Sequence, residues 1–129
     1  MKIILFAILS IVVISCTEPA DRYVKKFDQV DITKRLIPDT TFNLDYMEIK
    51  AKAQAENSCW RKLYFELKKT KDFEYTLKAY GTYESFGVCD AEIVSQDTAI
   101  IFQPTQKGTY LFSISRVPNK TEVDTMIVL

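Results

Sequence analysis

The amino-acid sequence predicts an all-β chain, an antiparallel β-sandwich, with a small closed β-barrel as the alternative architecture. Three observations lead there. Apolar residues recur at period two in several short runs, turn-forming residues separate the runs at spacings of about ten residues, and no long segment shows the helical period. Six or seven such strands bury one face each only by packing as two layers or by closing on themselves.

The clearest run places Met47, Ile49, Ala51, Ala53 and Ala55 on one face and Glu48, Lys50, Lys52, Gln54 and Glu56 on the other, the alternation of a half-buried strand. Alanine favours helix by intrinsic propensity, but helical spacing would spread these charges around every side, so pattern outweighs propensity. Leu63, Phe65 and Leu67 repeat the period, as do Phe73, Tyr75, Leu77 and Ala79 beyond a polar turn at residues 69–72. These two runs form a hairpin. An extended stretch covers residues 91–102, with an irregularity near residues 95–97. After a turn over residues 104–108, Tyr110, Phe112 and Ile114 alternate again, and Pro118 with Asn119 marks the next turn. Val123, Thr125, Ile127 and Leu129 make the inward face of the last strand.

The amino end is of another kind. Lys2 gives a minimal positive start, residues 3–14 are apolar except for Ser10, and Ser15 is the small residue before Cys16. That is a signal-peptide layout. The run stops at Thr17, Glu18 and Pro19, short of the roughly 20 apolar residues that cross a bilayer comfortably. Val13, Ile14, Ser15 and Cys16 resemble the lipobox of bacterial lipoproteins, and the alternative is an ordinary signal peptide with a coincidental cysteine. The resemblance implies cleavage before Cys16, a diacylglyceryl thioether on its sulfur, and acylation of the new amino terminus by a palmitate-type chain. Each buried CH₂ contributes about 0.8 kcal/mol, and two chains already anchor stably. In the enterobacterial scheme an Asp after the cysteine argues for retention in the inner membrane. Thr17 stands there, so the expectation is an outer-membrane lipoprotein. Residues 1–15 are then a signal peptide, 16–41 the lipidated cysteine and a tether, and 42–129 the sandwich domain. The tether carries Pro19 and Pro38, includes one short edge strand near Val30 and Ile32, and lets the domain stand off the membrane.

Charge excludes one class of partner. The chain balances 17 Lys+Arg against 17 Asp+Glu, and no basic face of the kind that binds nucleic acid emerges. There is no histidine, so the commonest general base and metal ligand are absent. No spacing points to catalysis, a metal or a cofactor. Besides Cys16 the chain holds Cys59 and Cys89, and an exported two-cysteine domain most simply joins them in one disulfide. The strand directions agree, since both loops fall at the same end.

Aromatic and Arg side chains are enriched in binding hot spots, which makes Trp60, Arg61, Tyr80, Tyr83 and Phe86, around the two cysteines, the candidate binding residues. Packing over the disulfide is the competing role, above all for Trp60 and Phe86. Residues 108–112, Gly-Thr-Tyr-Leu-Phe, resemble the tyrosine corner of immunoglobulin-like domains, which implies that the Tyr110 hydroxyl bonds back to the preceding turn. Gln106 stands where those domains often have Asp, and Phe112 where antibody domains have their second cysteine. The nearest overall resemblance is to small Bacteroidota-type lipoproteins with an immunoglobulin-like domain. That kinship implies O-glycosylation at Asp-Thr pairs, with Thr40 preferred over Thr98 and Thr125. The expected function is a lipid-anchored, non-catalytic binding or accessory module of the cell envelope, with an envelope protein or glycan as partner. A structural subunit of an envelope assembly and an inhibitor of an envelope-directed enzyme are the alternatives.

Overall fold

The computed structural model describes residues 22–129, which form eight strands and no helix: β1 (Val24–Leu36), β2 (Thr40–Thr41), β3 (Met47–Ala55), β4 (Trp60–Lys71), β5 (Glu74–Ser85), β6 (Val94–Phe102), β7 (Gly108–Arg116) and β8 (Lys120–Val128). Cys16 and the expected cleavage before it lie outside the described residues. The fold is all-β, a sandwich curled into a half-barrel. Five of the seven strand pairings are antiparallel, whereas β5 with β7 and β2 with β8 are parallel.

The two layers are joined through shared strands. One edge of β5 pairs with β4 along most of its length. Its other edge is divided, with residues 74–77 bonded to β7 and residues 79–85 to β1. β1 is divided in turn: residues 24–30 pair with β5, and residues 31–36 cross over to β3, which carries β6 on its far side.

This corrects the sequence reading of residues 16–41. The folded unit begins at Val24 rather than at residue 42, because β1 is a 13-residue strand and Val30, Ile32 and the following Ile37 are buried in the core. Charged neighbours hide the strand signal, which Val30 and Ile32 alone carry.

Between the layers lie Ile49, Ala51, Ala53, Leu77, Phe112, Ile114 and Met126. The alanines of β3 let the opposing aromatic residues approach. Tyr110 is 1% exposed and packs edge-on against Phe73 and Phe102, with ring centroids 5.0 and 5.7 Å away. Its hydroxyl donates to the Gln106 carbonyl at 2.9 Å and accepts from the Thr105 and Gln106 amides, both at 3.1 Å. The tyrosine-corner geometry is therefore present. In the last strand the alternation is one residue out of phase with the sequence reading. Met126 and Val128 are buried, and Val123, Thr125 and Ile127 face outward. Both faces of β8 carry apolar residues, so period alone could not choose.

Where β1 parts from β7 and β8, ion pairs fill the opening. A register shift between Ile32 and Lys34 turns Arg35 inward, where its guanidinium donates to both Asp124 carboxylate oxygens at 2.6 and 2.9 Å and to Glu122. Arg116 bonds Asp31 through two nitrogens, at 2.7 and 2.9 Å. Arg116 holds the Asp31 carboxyl below the usual range, against the opposing effect of burial. Lys120, followed by Arg35, does the same to Glu122.

Two predictions follow from the corner and the ionic seam. Tyr110→Phe keeps the ring and removes three hydrogen bonds, so denaturant melts should show a loss of about 1–3 kcal/mol. Tyr110→Ala should lose on the order of 3–5 kcal/mol. Because the folded pKa of Asp31 is depressed, its stabilisation is complete above the ordinary carboxylate range and vanishes as pH falls through the depressed value. Arg116→Gln should therefore be clearly less stable than the parent at neutral pH, and the gap should close in acid below the ordinary carboxylate range. Urea melts at both pH values read this directly, and an undiminished gap in acid would contradict it.

Candidate functional site

The disulfide expected from the sequence is present, with Cys59 and Cys89 bonded and their Cα atoms 5.4 Å apart. Ser58 and Asp90 clamp the same two loops, the Ser58 amide donating to the Asp90 carbonyl at 3.0 Å and the Asp90 amide to Ser58 Oγ at 2.9 Å. The Tyr83 hydroxyl reaches Cys89 Sγ at 3.3 Å.

Of the five aromatic and Arg candidates, Tyr83 and the Trp60 packed on it lie at this disulfide, and the others do not join them. The five divide among three places. Trp60 is only 8% exposed and meets Tyr83 edge-on at 5.4 Å on the inward side, so both serve as end-of-core packing. Gly81 makes this possible, because a Cβ there would stand 2.6 Å from the Leu63 side chain and 3.1 Å from the Trp60 ring. The chain reverses its phase just after Trp60. Lys62 adopts φ 54° within a register shift between Arg61 and Tyr64, which lets Trp60, Leu63 and Phe65 all face inward while Arg61 and Tyr64 face out. Phe86 stands apart at the tip of the fold, 73% exposed.

Tyr80 turns to the outer face, where it belongs to a group that the sequence reading missed. Tyr80 and Tyr64 are cross-strand partners on β5 and β4, and Phe27 lies diagonally across on β1, opposite Thr82. The three ring centroids stand 5.6–5.7 Å apart, with planes inclined by 14° to 33°. Phe27 is 57% and Tyr64 45% exposed. The result is a compact strip of rings across three strands, with Phe27 stacked on both Tyr64 and Tyr80 and the two tyrosines tilted to each other. Arg61 and Thr82 border it on one side. On the other, Glu66, Lys68, Thr76 and Lys78 surround a shallow hollow of about 250 Å³ that reaches Tyr80. Partial burial, then the Glu66 carboxylate, raises the Tyr80 pKa. Outward period-two placement of Tyr64 and Tyr80 was readable in the sequence. Phe27 was hidden by the assignment of its segment to a tether.

A larger hollow of about 470 Å³ lies on the outer face of β1, β3 and β6. Lys34, Lys50 and Lys52 border it with Asp97. Leu36, Thr98 and Ala99 also line it, and the three lysines at its border lose much rotamer freedom on ordering. The strip is the better-built surface. Among the described residues no group of three or more His, Cys, Asp or Glu is placed to hold a metal ion. Thr40, the candidate for glycosylation, is exposed but sits in β2 beside Ile127 rather than in a tether. No protein-family model, curated protein or solved structure matches the chain.

The division between packing and display is testable by stability alone. Trp60→Ala should cost about 3–5 kcal/mol as a large buried truncation. Tyr64→Ala should cost about 1 kcal/mol or less, since it removes one cross-strand contact from an exposed face. Thermal or urea melts of the two variants should separate them clearly.

Proposed function

We propose that this protein is a lipid-anchored, non-catalytic binding module of the bacterial cell envelope, and that its ligand is an envelope glycan lying against Phe27, Tyr64 and Tyr80. The observation that carries the reading is the strip of three closely set rings, with Phe27 and Tyr64 exposed and Tyr80 half-buried. Sugar rings present flat apolar C–H faces edged by hydroxyls. Stacked aromatics meet the faces, and Arg61, Glu66, Lys78 and the Tyr80 hydroxyl are spaced around them to meet the hydroxyls. An open sheet face with only a shallow hollow beside it suits an extended polymer better than a small free molecule. The anchor part of the proposal comes from the lipobox resemblance at residues 13–16, and Bacteroidota-type kinship with placement in the outer membrane belongs to the same proposal.

The alternatives are less well supported. β4, the edge strand beyond β5, carries Arg61, Lys62, Glu66, Lys68, Lys69 and Lys71, and such charge opposes edge pairing there, whereas β6, the edge strand beyond β3, carries only Asp97 along nine regular residues and is the feature that favours an assembly. A protruding inhibitory loop would need residues 80–88 to stand clear of the fold, but residues 80–85 belong to β5.

Two measurements test the two halves. Metabolic labelling with a clickable fatty acid should mark the parent chain and leave Cys16→Ala unmarked; label on the variant would end the lipoprotein reading. Co-sedimentation with purified peptidoglycan and titration with lipopolysaccharide-derived oligosaccharide should detect binding to one of them. Phe27→Ala with Tyr64→Ala should weaken it by about tenfold or more, about 1.4 kcal/mol. Absence of binding to both polymers, or an unchanged double variant, would refute the glycan reading.

A further inference from the structure

Tyr23, Phe86 and Val88 form an apolar tip at the end of the fold where the chain runs back toward Cys16. Phe86 is 73%, Val88 86% and Tyr23 46% exposed, and the rings of Tyr23 and Phe86 pack 5.0 Å apart. The first and last residues of the pairing beneath them, Val24 and Ser85, are cross-strand partners. The loop is pinned rather than loose. Gly87 takes φ 112°, its amide donates to Ser85 Oγ at 3.0 Å, and Cys89 is tied to Cys59. Large apolar side chains clustered on a braced loop mark an interaction surface.

Position identifies the partner. Seven residue steps separate Cys16 from Tyr23, and they span at most about 25 Å when fully extended. A lipid on Cys16 therefore keeps the tip close to the bilayer. Phe42 and Tyr46 are also exposed, but they lie at the far end of β5, a strand of 12 residues and so about 40 Å long. Charge at the tip nearly cancels, with Arg22, Lys25 and Lys26 set against Glu84, Asp90 and Glu92. An apolar tip of balanced charge suits the interface of a bilayer, where aromatic side chains are favoured.

We infer that Tyr23, Phe86 and Val88 dip into the interfacial layer of the membrane that holds the lipid of Cys16, an inference that rests on the lipid-anchor reading. The domain is then seated on the bilayer with β5 rising from it, rather than standing off on a long tether. Phe27 is three residues above Val24, about 10 Å, so the aromatic strip opens sideways just above the membrane surface. The surface-attached part of a glycan is what it meets first. Insertion by apolar contact also makes the seating insensitive to salt.

The test uses the full lipidated chain purified from bacterial membranes and reconstituted into phosphatidylcholine vesicles, with and without bromine on the acyl chains near the headgroups. Tryptophan is introduced in separate variants, Val88→Trp at the tip and Tyr46→Trp at the far end, and the signal of Trp60 is subtracted with the parent chain. Val88→Trp should shift to the blue and be quenched several-fold more by brominated lipid than Tyr46→Trp, at low and high salt alike. Fatty-acid labelling and co-flotation are read on the same samples. A chain that is labelled and floats, but whose Val88→Trp signal is quenched no more than that of Tyr46→Trp, overturns the seating and leaves the anchor standing. A chain that neither labels nor floats overturns the anchor, and the seating falls with it.

Discussion

The architecture depends on the limit that a β-strand has two hydrogen-bonding edges. β5 gives one edge to β4 and divides the other between β7 and β1. β1 leaves β5 after Val30 and completes its bonding on β3. That handover lets one continuous hydrogen-bonded surface supply both layers of the sandwich. It also bends the surface into a half-barrel, because a strand shared by two layers has to turn from one to the other. The register shift at Ile32 to Lys34 falls within the β3-paired half, and bulges of this kind are where strands kink and twist.

A divided edge leaves an opening where the strands diverge, and the chain closes it with charge rather than apolar bulk. Arg35 and Arg116 reach between β1 and the β7–β8 pair to Asp31, Glu122 and Asp124. These side chains are roughly a quarter exposed, so solvent screens the attraction and the desolvation cost stays moderate. The geometry gains from Arg's planar fork, which binds both oxygens of one carboxylate. The Cys59–Cys89 bridge closes a span of 30 residues and stabilises by limiting the unfolded chain, on the order of 2–4 kcal/mol. The bridge also braces the loop that bears Phe86 and Val88.

The same sheet sorts its aromatic residues by face. Phe102, Tyr110 and Phe112 point inward into a core shared with Ile49 and the alanines of β3. Phe27, Tyr64 and Tyr80 point outward from three adjacent strands. A single residue in the left-handed region, Lys62, decides how β4 takes part, since without the shift in phase there Trp60 and the run from Leu63 could not share the inward side. The proposed ligand surface and the proposed membrane tip are then neighbours on one long pair of strands, β1 and β5, so that seating the tip fixes the height and direction of the rings.

The sequence by itself determined the fold class, most of the strands and the partnership of the two cysteines. Those features depend on local periodicity, on turn residues, and on a pair of thiols with no third competitor in the domain. It also placed Tyr110 correctly, because the corner is formed within five residues of chain. Tertiary structure alone decided three things. It drew residues 24–36 into the sheet, where pairing with β5 and β3 outweighs a locally charged and unpromising sequence. It chose the inward face of β8, whose two faces are similarly apolar until Tyr110 and Arg35 supply partners for Met126 and Asp124. It dispersed Trp60, Arg61, Tyr80, Tyr83 and Phe86, which proximity along the chain had grouped together. Which side of a sheet a residue occupies depends on every bulge before it, and bulges leave no periodic signal of their own. The strip of Phe27, Tyr64 and Tyr80 is a product of register between three strands, a quantity set by long-range hydrogen bonds and not by any one segment.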